Sequence, residues 1–170
     1  MQPVIKKIEA LVLSISVQSG VGIIETISEK DETKRAIFNM TAKTPLMTKD
    51  GHLIGVSAIP VKGRIIAFVD SNTPLPMVSP PQIEPLLVIY DQYGKKGEVA
   101  IGVFDDTLFS KQLKLKLHLK DSTEIVDLRG KRVEKEGLAQ KMLVVFYGAT
   151  TRSMPAQTNP TKIIVTDVLE

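Results

Sequence analysis

Leu113-Lys114-Leu115-Lys116-Leu117-His118-Leu119-Lys120 is the stretch that decides the fold class. Four leucines alternate with three lysines and a histidine. In an extended chain successive side chains point to opposite faces, so every leucine falls on one side and every polar residue on the other. A helix would scatter the same leucines around its circumference. The stretch predicts a half-buried β-strand. Working outward, the same logic predicts strands over Val4–Val17, Val21–Ile27, Arg35–Thr41, Arg64–Asp70, Leu86–Tyr90, Glu98–Phe104, Met142–Tyr147 and Lys162–Val168. Ile65–Val69 and Leu143–Phe146 are almost wholly apolar, which suits strands covered on both faces. Lys49-Asp50-Gly51 and Leu128-Arg129-Gly130 read as turns. Short helical pieces are expected only over Val56–Val61 and Val133–Lys141. The chain is therefore expected to be all-β.

Sliding the chain on itself by about 79 residues brings two halves into step. Phe38, Met40, Thr44, Leu46 and Gly51 fall on Leu117, Leu119, Thr123, Ile125 and Gly130. With one residue deleted, Ile65, Ile66 and Phe68 fall on Leu143, Val144 and Phe146. A Pro-rich loop (Thr73–Pro85) then matches a Thr/Pro loop (Thr150–Pro160), and a strand follows each. The expectation is two related small β-barrel or β-sandwich units in tandem, 1–83 and 84–170. The strand Ile163–Val168 has nothing after it, so it is expected to offer an unpaired edge to another molecule.

Composition narrows the chemistry. With no cysteine, disulfides, zinc–thiolate sites, iron–sulfur clusters and cysteine nucleophiles are excluded. Two histidines, His52 and His118, argue against a multi-histidine metal site, and no cofactor is expected. A net charge of +3 favours weak attraction to anionic polymers. It falls short of a nucleic-acid-binding arm, and no apolar run is long enough to span a membrane. Lys6 and Lys7 before the run Ala10–Val17 loosely mimic a signal peptide, but Glu9, Ser14 and Ser16 interrupt it and a strand fits better. If the protein is exported, its leader is expected to have been removed already.

The loops Ser71–Gln82 (SNTPLPMVSPPQ) and Thr150–Val165 (TTRSMPAQTNPTKIIV), with the run Leu113–Val133, resemble a family of secreted or cell-surface proteins. These belong to Gram-positive, largely spore-forming bacteria and often sit beside a copper-amine-oxidase-N-terminal-like stalk domain. Their function is unassigned. The resemblance covers most of the chain from about Gly20. Where the family often has an aromatic residue before Pro-Pro-Gln, this chain has Ser79. The resemblance implies an extracellular, non-catalytic β module.

Candidate chemistry reduces to few residues. Asp105-Asp106 are adjacent and point apart, unlike a general acid–base pair, which faces across a cleft. Glu29, Asp31 and Glu32 lack the spaced pattern of a calcium loop and sit among lysines. His118 has Asp121 and Ser122 near it in sequence, but nothing marks a triad. No phosphate, dinucleotide or nucleophile-elbow motif exists. Asn39-Met40-Thr41 matches a glycosylation acceptor, a pattern too common to carry weight. Two surfaces remain. Pro80, Pro81, Gln82, Arg152, Pro155 and Gln157 in the loops, with Ile163, Ile164 and Val165 in the last strand, form a candidate interface for self-assembly, filament formation or another cell-surface protein. Lys111, Lys114, Lys116 and Lys120 form a candidate polyanion ladder, as on an OB-like module binding oligonucleotide or wall glycan. Single-strand nucleic acid also calls for stacking aromatics. Only Tyr93, Phe104 and Phe109 are nearby.

Overall fold

The computed structural model describes residues 3–19, 21–75 and 77–166, and the chain is all-β. In order, the strands are β1 (Ile5–Gln18), β2 (Val21–Ser28), β3 (Arg35–Met40), β4 (Leu46–Thr48), β5 (Arg64–Asp70), β6 (Gln82–Ile83) and β7 (Leu87–Tyr90). There follow β8 (Glu98–Val103), β9 (Phe109–Ser110), β10 (Leu115–Leu117), β11 (Glu124–Asp127), β12 (Met142–Tyr147), β13 (Ala156–Thr158) and β14 (Lys162–Val165). The expected helical pieces shrink to single 3-10 turns, Val56–Ala58 and Lys135–Gly137. Asp167 and Val168, part of the expected last strand, lie outside the described residues. Among the described residues no helix is long and apolar enough to cross a membrane.

Two compact units divide between Lys95 and Lys96, with Lys49–Gly51 assigned to the second. The expected boundary at 83/84 falls twelve residues early. The reason is β7, which pairs with β4 and β5 and so completes the first unit rather than opening the second.

The first unit is one seven-stranded sheet in the order β4-β7-β5-β1-β2-β3-β6. The sheet folds over on itself. Ala10, Val12, Ile24, Phe38 and Met40 from β1–β3 pack in one cluster with Leu46, Ile65, Ala67, Val69 and Val88 from β4, β5 and β7. The bend falls in β1, whose register with β2 shifts between Val12 and Ser14. An extra residue there bends a strand and increases its twist.

The second unit is a sandwich of a four-stranded sheet, β11-β14-β12-β8, and a three-stranded one, β13-β10-β9. Leu115 and Leu117 of β10 pack against Leu143, Val145, Ile163 and Val165 of the larger sheet. Burying each such side chain contributes roughly 1.5–3 kcal/mol. The Leu113–Lys120 ladder is shorter than expected, because Lys114 has φ +51° and ends the extended run at Leu115. The alternation survives in burial: Leu115 and Leu117 are buried, while Lys114, His118 and Lys120 are exposed.

Both units share one ladder plan. β7 runs parallel to β4 and antiparallel to β5, as β14 does to β11 and β12. β6 pairs parallel with β3, as β13 does with β10. Short bridges follow, Met47–Leu53 and Val126–Arg132, around turn glycines with φ +86° and +82°. Ile59 and Leu138, each buried, cap the two 3-10 turns. Among the described residues none of the sheets closes into a barrel, and of the two expected forms the sandwich fits. The expectation of an unpaired final strand also fails. β14 lies between β11 and β12, with a neighbour on each side.

Candidate functional site

β14 carries three of the expected interface residues, Ile163, Ile164 and Val165, and all are buried. They are core and offer nothing to a partner. Gln157 is tied locally: its side-chain oxygen lies 2.6 Å from His118 Nε2, and its amide donates to Thr151 Oγ1 at 2.9 Å. Pro155 is half-buried beside it and Arg152 is exposed. Gln82 is exposed on β6 and accepts from Asn39 Nδ2 at 3.5 Å.

Of the lysine ladder, Lys116 donates to the carbonyl of Thr107. Lys111 and Lys114 sit on the turn before β10, and Lys120 lines a cavity of about 570 Å³. Arg132 and Lys135 line it too, but Asp121, Glu124 and Glu134 balance them.

The acidic candidates are turn-builders. Asp31 Oδ1 accepts from the amide and hydroxyl of Thr33, at 3.0 and 2.6 Å. Asp105 Oδ1 accepts from Thr107 and Phe109, and Asp127 Oδ1 from the amides of Arg129 and Lys131. These hydrogen bonds hold all three carboxyls below the usual aspartate range. Among the described residues no cluster of three or more His, Asp or Glu could hold a metal ion.

Pro80 and Pro81 do meet a feature of interest, a cleft of about 950 Å³ in the first unit. Its apolar lining is Ile8, Ala10, Ala36, Leu75, Pro80, Pro81 and Ile83. Its cations are Lys6, Lys7, Lys30, Lys34 and Arg35, against one carboxylate, Glu9. The ladder gathers these charges. Ala10 lies opposite Ser28 and Ile27 opposite Arg35, so Lys6-Lys7 and Lys30, Lys34 and Arg35 arrive at the same end of the sheet.

Glu9 offsets only part of the rim charge. Its carboxylate lies 3.4 Å from Lys7 Nζ and 3.4 Å from Arg64. Burial by itself would raise the Glu9 carboxyl, but Lys7, Arg64 and Lys30 outweigh it and hold it below the ordinary range. Arg64 also contacts Glu29 at 2.8 Å and Asp91 at 2.9 Å. Burial would lower the guanidinium, and the three carboxylates raise it instead. Thr26, buried behind the cleft, donates its hydroxyl to the Ala36 carbonyl at 2.9 Å.

Sequence reasoning found the prolines and missed the rim. Lys6-Lys7 and Lys34-Arg35 are visible as basic pairs, but only the hairpin register joins them. Comparison with protein-family models, with curated proteins and with solved structures returned no match.

Proposed function

We propose that this chain is a non-catalytic interaction protein of the cell exterior, built on a duplicated β unit, with its binding surface in the first copy. One observation carries the binding reading: an apolar-floored cleft ringed by Lys6, Lys7, Lys30, Lys34 and Arg35, whose single carboxylate is engaged by Lys7 and Arg64. Such a surface recognises a ligand with both apolar and anionic parts. Duplication is supported by the common ladder plan and by matching turn bonds. Thr44 donates its amide to Thr41, and Thr123 does the same to Lys120. The extracytoplasmic placement rests on the loop resemblance.

The test is binding of the whole chain to heparin and to poly-glutamate at rising salt. Binding should fall steeply with salt. It should drop at least tenfold in a Lys6→Glu/Lys34→Glu/Arg35→Glu variant and stay unchanged in Lys111→Glu/Lys114→Glu. No binding at low salt, or equal loss in both variants, sinks the reading.

A second reading, self-assembly, is favoured by a specific feature. Met77 stands fully exposed between exposed Leu75 and Val78 in the first Pro loop, and Met154 is largely exposed in the second; grouped exposed apolar side chains mark interaction sites. On this reading the loops, in place of the last strand, join subunits, and an open head-to-tail contact would give a filament. Light scattering of Met77→Glu and Met154→Glu against wild type tests it. Wild type that stays monomeric at high concentration removes it.

A further inference from the structure

β1 changes neighbours part-way along its length. It pairs with β5 over Ile5–Leu11 and with β2 over Ala10–Gln18. Ile5–Glu9 therefore have a strand on one side only. Which backbone groups face the open side follows from the ladder. The carbonyls of Arg64 and Phe68 accept from Asp91 and Leu86, so these two β5 residues turn their backbones away from β1. Their partners across the ladder are Leu11 and Lys7. In an antiparallel pair such non-hydrogen-bonded residues both point outward. Lys7 and, by the two-residue period, Ile5 and Glu9 turn their N–H and C=O groups into the cleft. Glu9 uses its carbonyl at the far end, 3.5 Å from the Glu29 amide. Pro80 and Pro81 also line the cleft and have no N–H to donate to an incoming strand.

Resting on the cleft reading above, we infer that the ligand is an extended acidic segment of another protein, added as a strand to Ile5–Lys7–Glu9. Main-chain bonds to Ile5 and Lys7 supply the pairing. Alternate small apolar side chains meet Ile8, Ala10 and Ile83. Acidic side chains fall on the other face of the added strand, where Lys7 and Arg35 lie. Lysines on an open edge repel apolar and basic strands. The same lysines favour an incoming strand of opposite charge, which gives affinity and specificity from separate features.

The experiment uses the whole chain and three labelled peptides: Glu-Val-Glu-Val-Glu-Val, its Lys-for-Glu counterpart, and the acidic peptide N-methylated at alternate amides on either register. The acidic peptide should bind at least tenfold tighter than the other two. It should slow amide hydrogen exchange at Ile5 and Lys7, and it should lose at least tenfold in Lys7→Glu/Arg35→Glu. Equal binding of the N-methylated peptide, or no binding of the acidic one, overturns strand addition. If heparin still binds in a Lys6- and Lys34-dependent way, the cleft reading survives that failure. If heparin fails too, both fall. Protection of Lys7 that rises with protein concentration without peptide assigns the edge to a second copy and overturns the choice of occupant.

Discussion

The two units close their last ladder at the same backbone place with different side chains. In the first, the Arg64 carbonyl accepts from the Asp91 amide at 2.9 Å, and the Arg64 guanidinium also grips the Asp91 carboxylate at 2.9 Å. In the second, the Met142 carbonyl accepts from the Thr166 amide at 3.0 Å and from the Thr166 hydroxyl at 3.2 Å. A neutral hydroxyl suffices for the closure. The ions of the first unit therefore serve something beyond it: they bind Glu9 and leave the cleft rim positive. The strands leading in differ as well. β1 spans 14 residues and passes from one neighbour to the next, which opens the cleft. β8 spans 6 residues, and the chain then leaves for a separate sheet.

The largest expected effects lie in the two cores. Val12 and Phe104 hold matching places, each accepting with its carbonyl from the residue before the β5 or β12 approach, Lys62 or Gln140. Both are fully buried. Phe104→Ala should cost about 4 kcal/mol and Val12→Ala about 2 kcal/mol, because the aromatic leaves the larger cavity. Urea midpoints at constant slope check this. Equal losses would mean that the second unit collapses into the space and is packed less tightly than the first.

Next in size is the ion cluster. Arg64→Met places the second unit's residue in the first and takes the guanidinium away from Asp91, whose side chain is only 6 % exposed. The expected cost is about 2–3 kcal/mol. Adding Asp91→Thr, which completes the copy, should return stability to within about 1 kcal/mol of wild type. Additive losses in this double-mutant cycle would show that the ladder closure does depend on charge. The cluster also sets acid sensitivity. A carboxyl whose folded pKa is depressed adds stability that is complete above its unfolded value and lost as pH falls through the folded one. With Glu9 held low, wild type should weaken as pH drops below about 4.3, and the double variant should weaken less. The second unit adds a dependence at the alkaline end. Burial raises the Tyr147 phenol, and nearby Glu98 adds to the shift, so its contribution is intact below about pH 10 and lost above it.

The alternation of leucine and lysine in 113–120 carried the fold class because burial on one face enforces a two-residue period. Turn glycines and apolar strand positions were legible for a related reason: both are constrained wherever the backbone is. The unit boundary was misplaced because parallel pairing of β7 with β4 joins residues about 40 apart, and no local signal marks it. The final strand was misjudged because an apolar run looks the same at an edge and in the middle of a sheet. The cleft was half-legible. Pro80 and Pro81 announce a stiff wall, whereas the rim exists only after the β1–β2 and β2–β3 registers align basic pairs far apart in sequence.

The smallest effect tests what both units share. Gly130 has φ +82°, and a Cβ added there would meet nothing within 4 Å. Any cost of Gly130→Ala therefore comes from forcing an L-residue into the left-handed region, about 1 kcal/mol. Gly148 is equally uncrowded but has no positive φ, so Gly148→Ala should be near neutral. The turn at Gly130 is held by Asp127, whose carboxylate accepts from the amides of Arg129 and Lys131 at 2.8 and 2.9 Å. Asp127→Ala should thus remove part of the same turn, and combining it with Gly130→Ala should cost less than the sum. Thermal midpoints of the three variants check this. A full additive loss would separate the carboxylate from the turn conformation and leave the glycine as the sole feature that both units need there.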